Sequence, residues 1–162
     1  MASFIGEYTC RLDDKGRVPF PAAFRPAATG SDGAVRLVAK KDVFERCLAL
    51  MTEAEWEQQM AFINRRLNPY SKEDQLLRRE LLRDMAALEV DAAGRILLPK
   101  RLTEKVGVSK EVIFAGQGNK IEVWDKAAYE GGNLPEGDVA ALAERLLGSA
   151  APTQGATALT TP

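Results

Sequence analysis

The chain has 162 residues, 46% of them hydrophobic and 28% charged, which is the composition of an ordinary globular domain. It contains no histidine, and that removes Ser-His and Cys-His nucleophile systems, histidine-liganded zinc and the usual general base near neutral pH. Its net charge of −1 argues against a uniformly basic nucleic-acid binder, but the charge alternates along the chain: +2 over residues 1–46, −2 over 47–89, +2 over 90–126 and −3 over 127–162.

The start, residues 1–7, has neither a basic cluster nor an apolar segment, so no signal peptide is expected. Phe4, Tyr8, Cys10 and Leu12 then fall on one face of a strand of period two. Asp14-Lys15-Gly16 makes a three-residue turn, with Gly16 at the place that calls for a left-handed backbone. Pro21-Ala22-Ala23-Phe24-Arg25 predicts a short helix opened by proline and stopped before Pro26. Val35-Arg36-Leu37-Val38 and Cys47-Leu48-Ala49-Leu50 supply two more strands. Thr52 and Glu55 form a capping-box start for a helix through Trp56, Met60, Ile63 and Leu67, ended by Asn68-Pro69. A second helix over residues 71–85 connects onward.

Residues 99–106 then predict another short helix, closed by Gly107. Val112-Ile113-Phe114-Ala115 and Ile121-Glu122-Val123-Trp124 read as strands, Asp125 caps a helix holding Tyr129, and a weaker helix spans 138–147. Gly116-Gln117-Gly118 lacks the lysine and Ser/Thr of a phosphate loop and is read as a strand–strand turn. Residues 148–162 are an Ala/Thr/Gly/Pro tract with no charge, expected to be a disordered tail. No apolar run approaches the roughly 20 residues of a membrane span, so no membrane partner is expected. Cys10 and Cys47 have no metal-ligand or redox spacing and are read as reduced core residues of a cytoplasmic protein.

An internal repeat organises these elements. Asp13-Asp14-Lys15-Gly16-Arg17-Val18-Pro19-Phe20-Pro21 matches Asp91-Ala92-Ala93-Gly94-Arg95-Ile96-Leu97-Leu98-Pro99 at an offset of 78. A second match at an offset of 73 aligns residues 48–54 with 121–127, and places Trp56 opposite Tyr129 as candidate core anchors. The division expected is a first repeat over 4–56, a helical connector over 57–86, a second repeat over 87–130, and a helical segment over 131–147 before the tail.

Each copy thus carries Asp, three residues, then Arg, with Gly at the fourth place. In such a turn the Asp accepts the turn's amide hydrogens and holds the guanidinium. An arginine fixed in this way suits a planar partner such as a phosphate or the edge of guanine. The candidate DNA-binding residues are Asp13, Lys15, Gly16 and Arg17, and, with a tip that lacks a lysine, Asp91, Gly94 and Arg95. The same pairs would also serve as ion pairs that only stiffen a turn. No catalytic, cofactor-binding or metal-ligating residue is assigned, and the chain is not expected to be an enzyme.

With this duplicated turn, and with Gly116-Gln117-Gly118-Asn119-Lys120-Ile121-Glu122-Val123-Trp124 near the end of the second copy, the sequence resembles the MraZ family over about residues 4–147. The resemblance implies an α+β fold of two tandem AbrB-like swapped-hairpin β-barrel repeats with flanking helices, packed as one unit. It also implies a sequence-specific, nucleoid-associated transcriptional regulator that assembles into a homo-oligomeric ring. Its partner would be double-stranded DNA, as direct repeats upstream of the division and cell-wall gene cluster. The competing expectation is an oligomeric scaffold whose turns never touch DNA.

Overall fold

The computed structural model describes residues 3–148; the tract expected to be a tail therefore lies, but for Gly148, outside the described residues. Its strands run in chain order as β1 (Glu7–Arg11), β2 (Arg17–Pro19), β3 (Arg36–Lys41), β4 (Leu48–Met51), β5 (Met85–Glu89), β6 (Arg95–Leu97), β7 (Glu111–Gly116) and β8 (Ile121–Asp125). Its helices are α1 (Arg25–Ala28), α2 (Glu53–Arg66), α3 (Lys72–Arg83), α4 (Lys100–Lys105), α5 (Lys126–Gly131) and α6 (Glu136–Ala143). The mixed α+β class is the one expected.

Six strands form one antiparallel sheet in the order β1-β7-β8-β4-β3-β5, and β2 pairs with β6 as a separate ribbon. Exchanging the copies, β1 for β5, β2 for β6, β3 for β7 and β4 for β8, reverses the sheet order and leaves it unchanged. The registers obey the same pseudo-twofold relation. Val18 faces its own equivalent Ile96 at the centre of the ribbon, and Ala49 faces its equivalent Glu122 at the centre of the sheet.

This topology pulls each Asp-x-x-Gly-Arg hairpin open. In the first copy β1 enters the sheet beside β7, while β2 leaves to pair with β6. In the second copy β5 pairs with β3 and β6 with β2. Strands are thereby exchanged between the copies, so neither copy closes a core alone. The sheet and ribbon are joined by packing rather than by a hydrogen-bonded barrel seam, with β1 and β5 left as the sheet edges.

The shared core is apolar and draws on both copies: Val18, Phe20, Phe24, Leu37, Leu50, Ile96, Leu98, Leu102, Phe114 and Ile121 are all buried. Phe24 stands edge-on to Phe4 at 5.6 Å and to Tyr8 at 5.1 Å, and Phe20 meets Phe114 at 6.2 Å, the offset geometries that aromatic quadrupoles favour. Burying one such ring is worth roughly 1.5–3 kcal/mol, so the exchanged strands are held mainly by this core.

Local departures from the expected elements have simple causes. Helical structure does not stop before Pro26: a 3-10 turn at Ala22–Phe24 runs into α1, whose first turn contains Pro26. First-turn amides have no intrahelical acceptor, so a proline there forfeits no hydrogen bond. The connecting helix ends at Arg83, and Met85 already belongs to β5, because pairing with Lys40 of β3 outcompetes another helical turn. Thr52 caps α2 by accepting the Glu55 amide at 3.1 Å.

Trp56 and Tyr129 are half-buried rather than core residues. The Trp56 indole faces Met85 Sδ at 3.4 Å, and Tyr129 packs on Trp124 at 5.9 Å while its hydroxyl donates to Glu7. That bond to a carboxylate pushes the Tyr129 hydroxyl up to about 12. Of the described residues, 3–129 form one compact unit, and 130–148, which carry α6 and a wider turn at Glu144–Gly148, form a second.

Candidate nucleic-acid interface

The first turn is organised by one carboxylate. Asp13 Oδ1 accepts the amides of Lys15 and Arg17, each at 2.9 Å, while Oδ2 accepts Arg17 Nε at 2.8 Å. The backbone closes around it, Asp13 N donating to Arg17 O at 2.8 Å and Gly16 N to Asp13 O at 3.1 Å. Gly16 has φ +83°, a left-handed backbone that costs a side-chain-bearing residue roughly 1–2 kcal/mol. The Arg17 amide, then the Arg17 side chain and the Lys15 amide, hold the Asp13 carboxyl below its ordinary range.

The second turn repeats the backbone and relaxes the side chains. Asp91 Oδ1 accepts the amides of Ala93 and Arg95 at 2.9 Å, and Gly94 has φ +80°. These amides, that of Arg95 foremost, lower the Asp91 carboxyl as well. Arg95 Nε stands 3.5 Å from Asp91 Oδ2, however, and is buried without a hydrogen-bond partner. Arg95 is thus held by charge where Arg17 is held by a hydrogen bond.

The sequence presents these turns as two separate sites 78 residues apart; the fold makes them one. Val18 and Ile96 point into the core, so the alternation of the ribbon turns Arg17, Pro19, Arg95 and Leu97 to the opposite, outer face. Arg95 Nη1 lies 3.9 Å from Asp13 Oδ2, and the Arg17 and Arg95 side chains are 34% and 35% exposed, equally available to a partner. Each glycine carbonyl is held by the other copy: Leu98 N donates to Gly16 O at 2.9 Å and Phe20 N to Gly94 O at 3.0 Å. Lys15 stands exposed at the first tip.

Three cations that sequence reasoning did not single out gather beside the first turn. Arg11, at the end of β1, and Lys100 and Lys110, from the second copy, line the same cleft as Lys15 and Gly16. No linear pattern marks them, because strand exchange is what brings Lys100 and Lys110 to the first turn.

Elsewhere, Asp42, Cys47 and Glu122 bring potential metal-ligand atoms within 4.8 Å of one another. Lys120 Nζ already lies 3.9 Å from Asp42 and 3.7 Å from Glu122. Burial, with those two carboxylates, pushes the Cys47 thiol up to about 12. A protonated thiol beside a resident ammonium makes this an ion-pair cluster rather than a cation cage. Cys10 and Cys47 are both free, Cys47 fully buried and Cys10 half-buried.

An intertwined duplicate of one α+β unit, with two Asp-pinned arginines on a shared outer face, defines the class of tandem swapped-hairpin proteins. A family model described as "MraZ protein, putative antitoxin-like" matches residues 3–79 and 81–132. Among curated relatives, the "Transcriptional regulator MraZ" of Bacteroides fragilis is 38% identical over 131 residues, covering 80% of this chain and 82% of the relative. Proteins of the same name from Flavobacterium psychrophilum and Parvibaculum lavamentivorans are 35% identical over 152 residues and 37% over 133. These cover 92% and 80% of this chain, and 94% and 80% of the relatives. The chain belongs to the MraZ family.

Proposed function

We propose that this chain is a sequence-specific DNA-binding transcriptional regulator, and that the shared face of the two Asp-x-x-Gly-Arg turns is its contact with duplex DNA. The observation that carries the reading is Arg17, pinned by Asp13 yet open to solvent beside Arg95. A guanidinium fixed in this way is oriented before it meets a guanine edge or a phosphate, so little side-chain entropy remains to be lost on binding. The curated relatives' name, transcriptional regulator, supports the same role. The protein acts by binding, with no catalysis.

The target is a set of short direct repeats upstream of the division and cell-wall gene cluster that includes its own gene, engaged on the nucleoid by a ring of identical subunits. Two observations support assembly. α2 and α3 contain no fully buried residue, and Phe62, Leu76 and Leu77 stand exposed on them. Apolar surface of this kind is a common sign of an association face. Identical turns repeated around a ring raise the effective concentration on successive repeats, which offsets the weak field of any one chain.

Fluorescence anisotropy on the duplex upstream of the protein's own gene, beside a shuffled duplex and at two salt concentrations, tests the reading. Tight binding to the native duplex alone supports it. Equal, weak binding to both would shift the reading to an oligomeric scaffold.

A further inference from the structure

The pseudo-twofold relation allows a comparison that the repeat alignment alone does not: what surrounds each turn, position by position. Beside the first turn lies a cleft of about 590 Å³ bounded by β1, the turn, the start of α4 and the Ser109-Lys110 segment. Its cations are Arg11 and Lys15 from the first copy and Lys100 and Lys110 from the second. Among the ion pairs of the described residues, only Lys100 has a carboxylate partner, Glu104 at 3.8 Å, with both side chains largely exposed. Arg11, Lys15 and Lys110 enter none. Asp13 is consumed by its own turn, which leaves Asp14 as the opposing charge at the rim.

The symmetry-related place beside the second turn has lost every one of these cations. Its equivalents of Arg11, Lys15 and Lys100 are Glu89, Ala93 and Ala22. Lys110, whose carbonyl accepts Leu12 N at 2.8 Å, corresponds to Val35, whose carbonyl accepts Val90 N at 2.9 Å. The space is also filled. Thr103, a small side chain against the first cleft, corresponds to Arg25, whose Nη2 lies 3.4 Å from Gly94 O and would sit 2.2 Å from a Cβ at Gly94.

We propose that the cleft beside the first turn is a phosphate-binding site in which Lys100 and Lys110 of the second copy act with Arg11 and Lys15 of the first, and that each chain has one such site because Arg25 closes the other. The inference rests on the DNA-binding reading and adds a division of labour to it. Arg17 and Arg95 face the bases, while the composite cleft grips the backbone and sets the register of the chain along the duplex. Four cations beside the first turn, against the single Arg25 that fills the place beside the second, make the contact polar.

The test compares the wild type with Lys100→Gln/Lys110→Gln, binding native and shuffled duplexes across a salt series. A second arm titrates both proteins with inorganic phosphate and with pyrophosphate. Both lysines are exposed, so unchanged thermal melting is expected of the variant. Each phosphate contact contributes about 0.9 to the slope of log affinity against log salt, so the double variant should lose roughly two units of slope. Its preference for the native duplex should stay the same, and neither protein should bind the free anions measurably. An unchanged slope overturns the proposal while leaving sequence-specific binding intact. A slope that falls in a protein with no preference between duplexes retains the cleft and rejects the regulator reading. Loss of free-anion binding in the variant, without duplex binding by either protein, keeps the phosphate site and assigns it to a small ligand. Binding of neither duplex nor anion overturns it.

Discussion

One carboxylate oxygen of Asp13 serves both copies of the repeat: Oδ2 lies 2.8 Å from Arg17 Nε in its own turn and 3.9 Å from Arg95 Nη1 in the other. Asp91 enters no second ion pair among the described residues: its Oδ2 stands 3.5 Å from Arg95 Nε, and Arg17 acts on it only as the weakest of the charges that lower its carboxyl. The two aspartates are equivalent in sequence and unequal in what depends on them.

Asp13→Ala is therefore expected to weaken duplex binding more than Asp91→Ala. The first change frees Arg17, strips acceptors from two turn amides and removes a counter-charge from Arg95. Anisotropy titrations of the two variants on one duplex give the order directly; equal losses would mean that the turns are not coupled through Asp13.

Arg17→Ala should lower affinity for the native duplex by about fivefold to 150-fold, the range of a lost bidentate base contact of about 1–3 kcal/mol. Arg95→Ala should cost less, because that side chain lacks a hydrogen bond to hold it in one orientation. Neither should shift the melting temperature much, since both guanidiniums lie on the outer face of the ribbon. A large loss of melting temperature in Arg17→Ala would make the residue structural.

Both turn carboxyls are held below their ordinary value of 3.8 by amide hydrogens, and both belong to folded turns. A depressed carboxyl stabilises the fold above its unfolded value, and that contribution is lost as pH falls through the folded one. Stability should thus decline below about pH 4, and Asp13→Asn/Asp91→Asn should flatten that acid limb while lowering stability near neutrality. Denaturant midpoints between neutral and acid pH provide the check; an acid limb unaltered by the double change would assign it to other carboxylates.

Gly116 allows no side chain. A Cβ there would lie 2.5 Å from Phe4 O and 2.6 Å from Phe4 C, both backbone atoms of the segment that Gly118 also holds. Gly116→Ala must push that segment off β7, with a loss of about 1–3 kcal/mol on the scale of overpacked sites. Gly118→Ala, at φ +81° with nothing within 4 Å of its Cβ, should cost only the roughly 1–2 kcal/mol of the left-handed backbone. Chemical denaturation of the two variants provides the check: a loss in Gly116→Ala no larger than that in Gly118→Ala would mean that the Phe4 segment moves off β7 at no cost.

Much of the molecule was legible in the linear chain. The turn is set by residues no more than four apart: an aspartate to accept the amides, a glycine for the left-handed step and an arginine for the second oxygen. Those identities sufficed to place Asp13, Gly16 and Arg17, and their counterparts Asp91, Gly94 and Arg95, in two equivalent turns. The alternation of apolar residues likewise marked the strands, with boundary errors where proline entered a first helical turn and where β5 took Met85 from the helix before it.

What the chain alone did not determine is which copy each strand joins. A hairpin sequence specifies its turn and its two faces, but its strands satisfy the same hydrogen bonds with a neighbouring copy as with each other. That choice belongs to the non-local core, where Phe20, Phe24, Ile96, Leu98 and Phe114 from both copies are buried together. Strand exchange put Arg95 within reach of Asp13, and carried Lys100 and Lys110 to a turn some 85 residues or more away along the chain. The turns were written locally; the shared face and its cationic cleft came from tertiary pairing, because the burial that drives it is summed over the whole core rather than over any one segment.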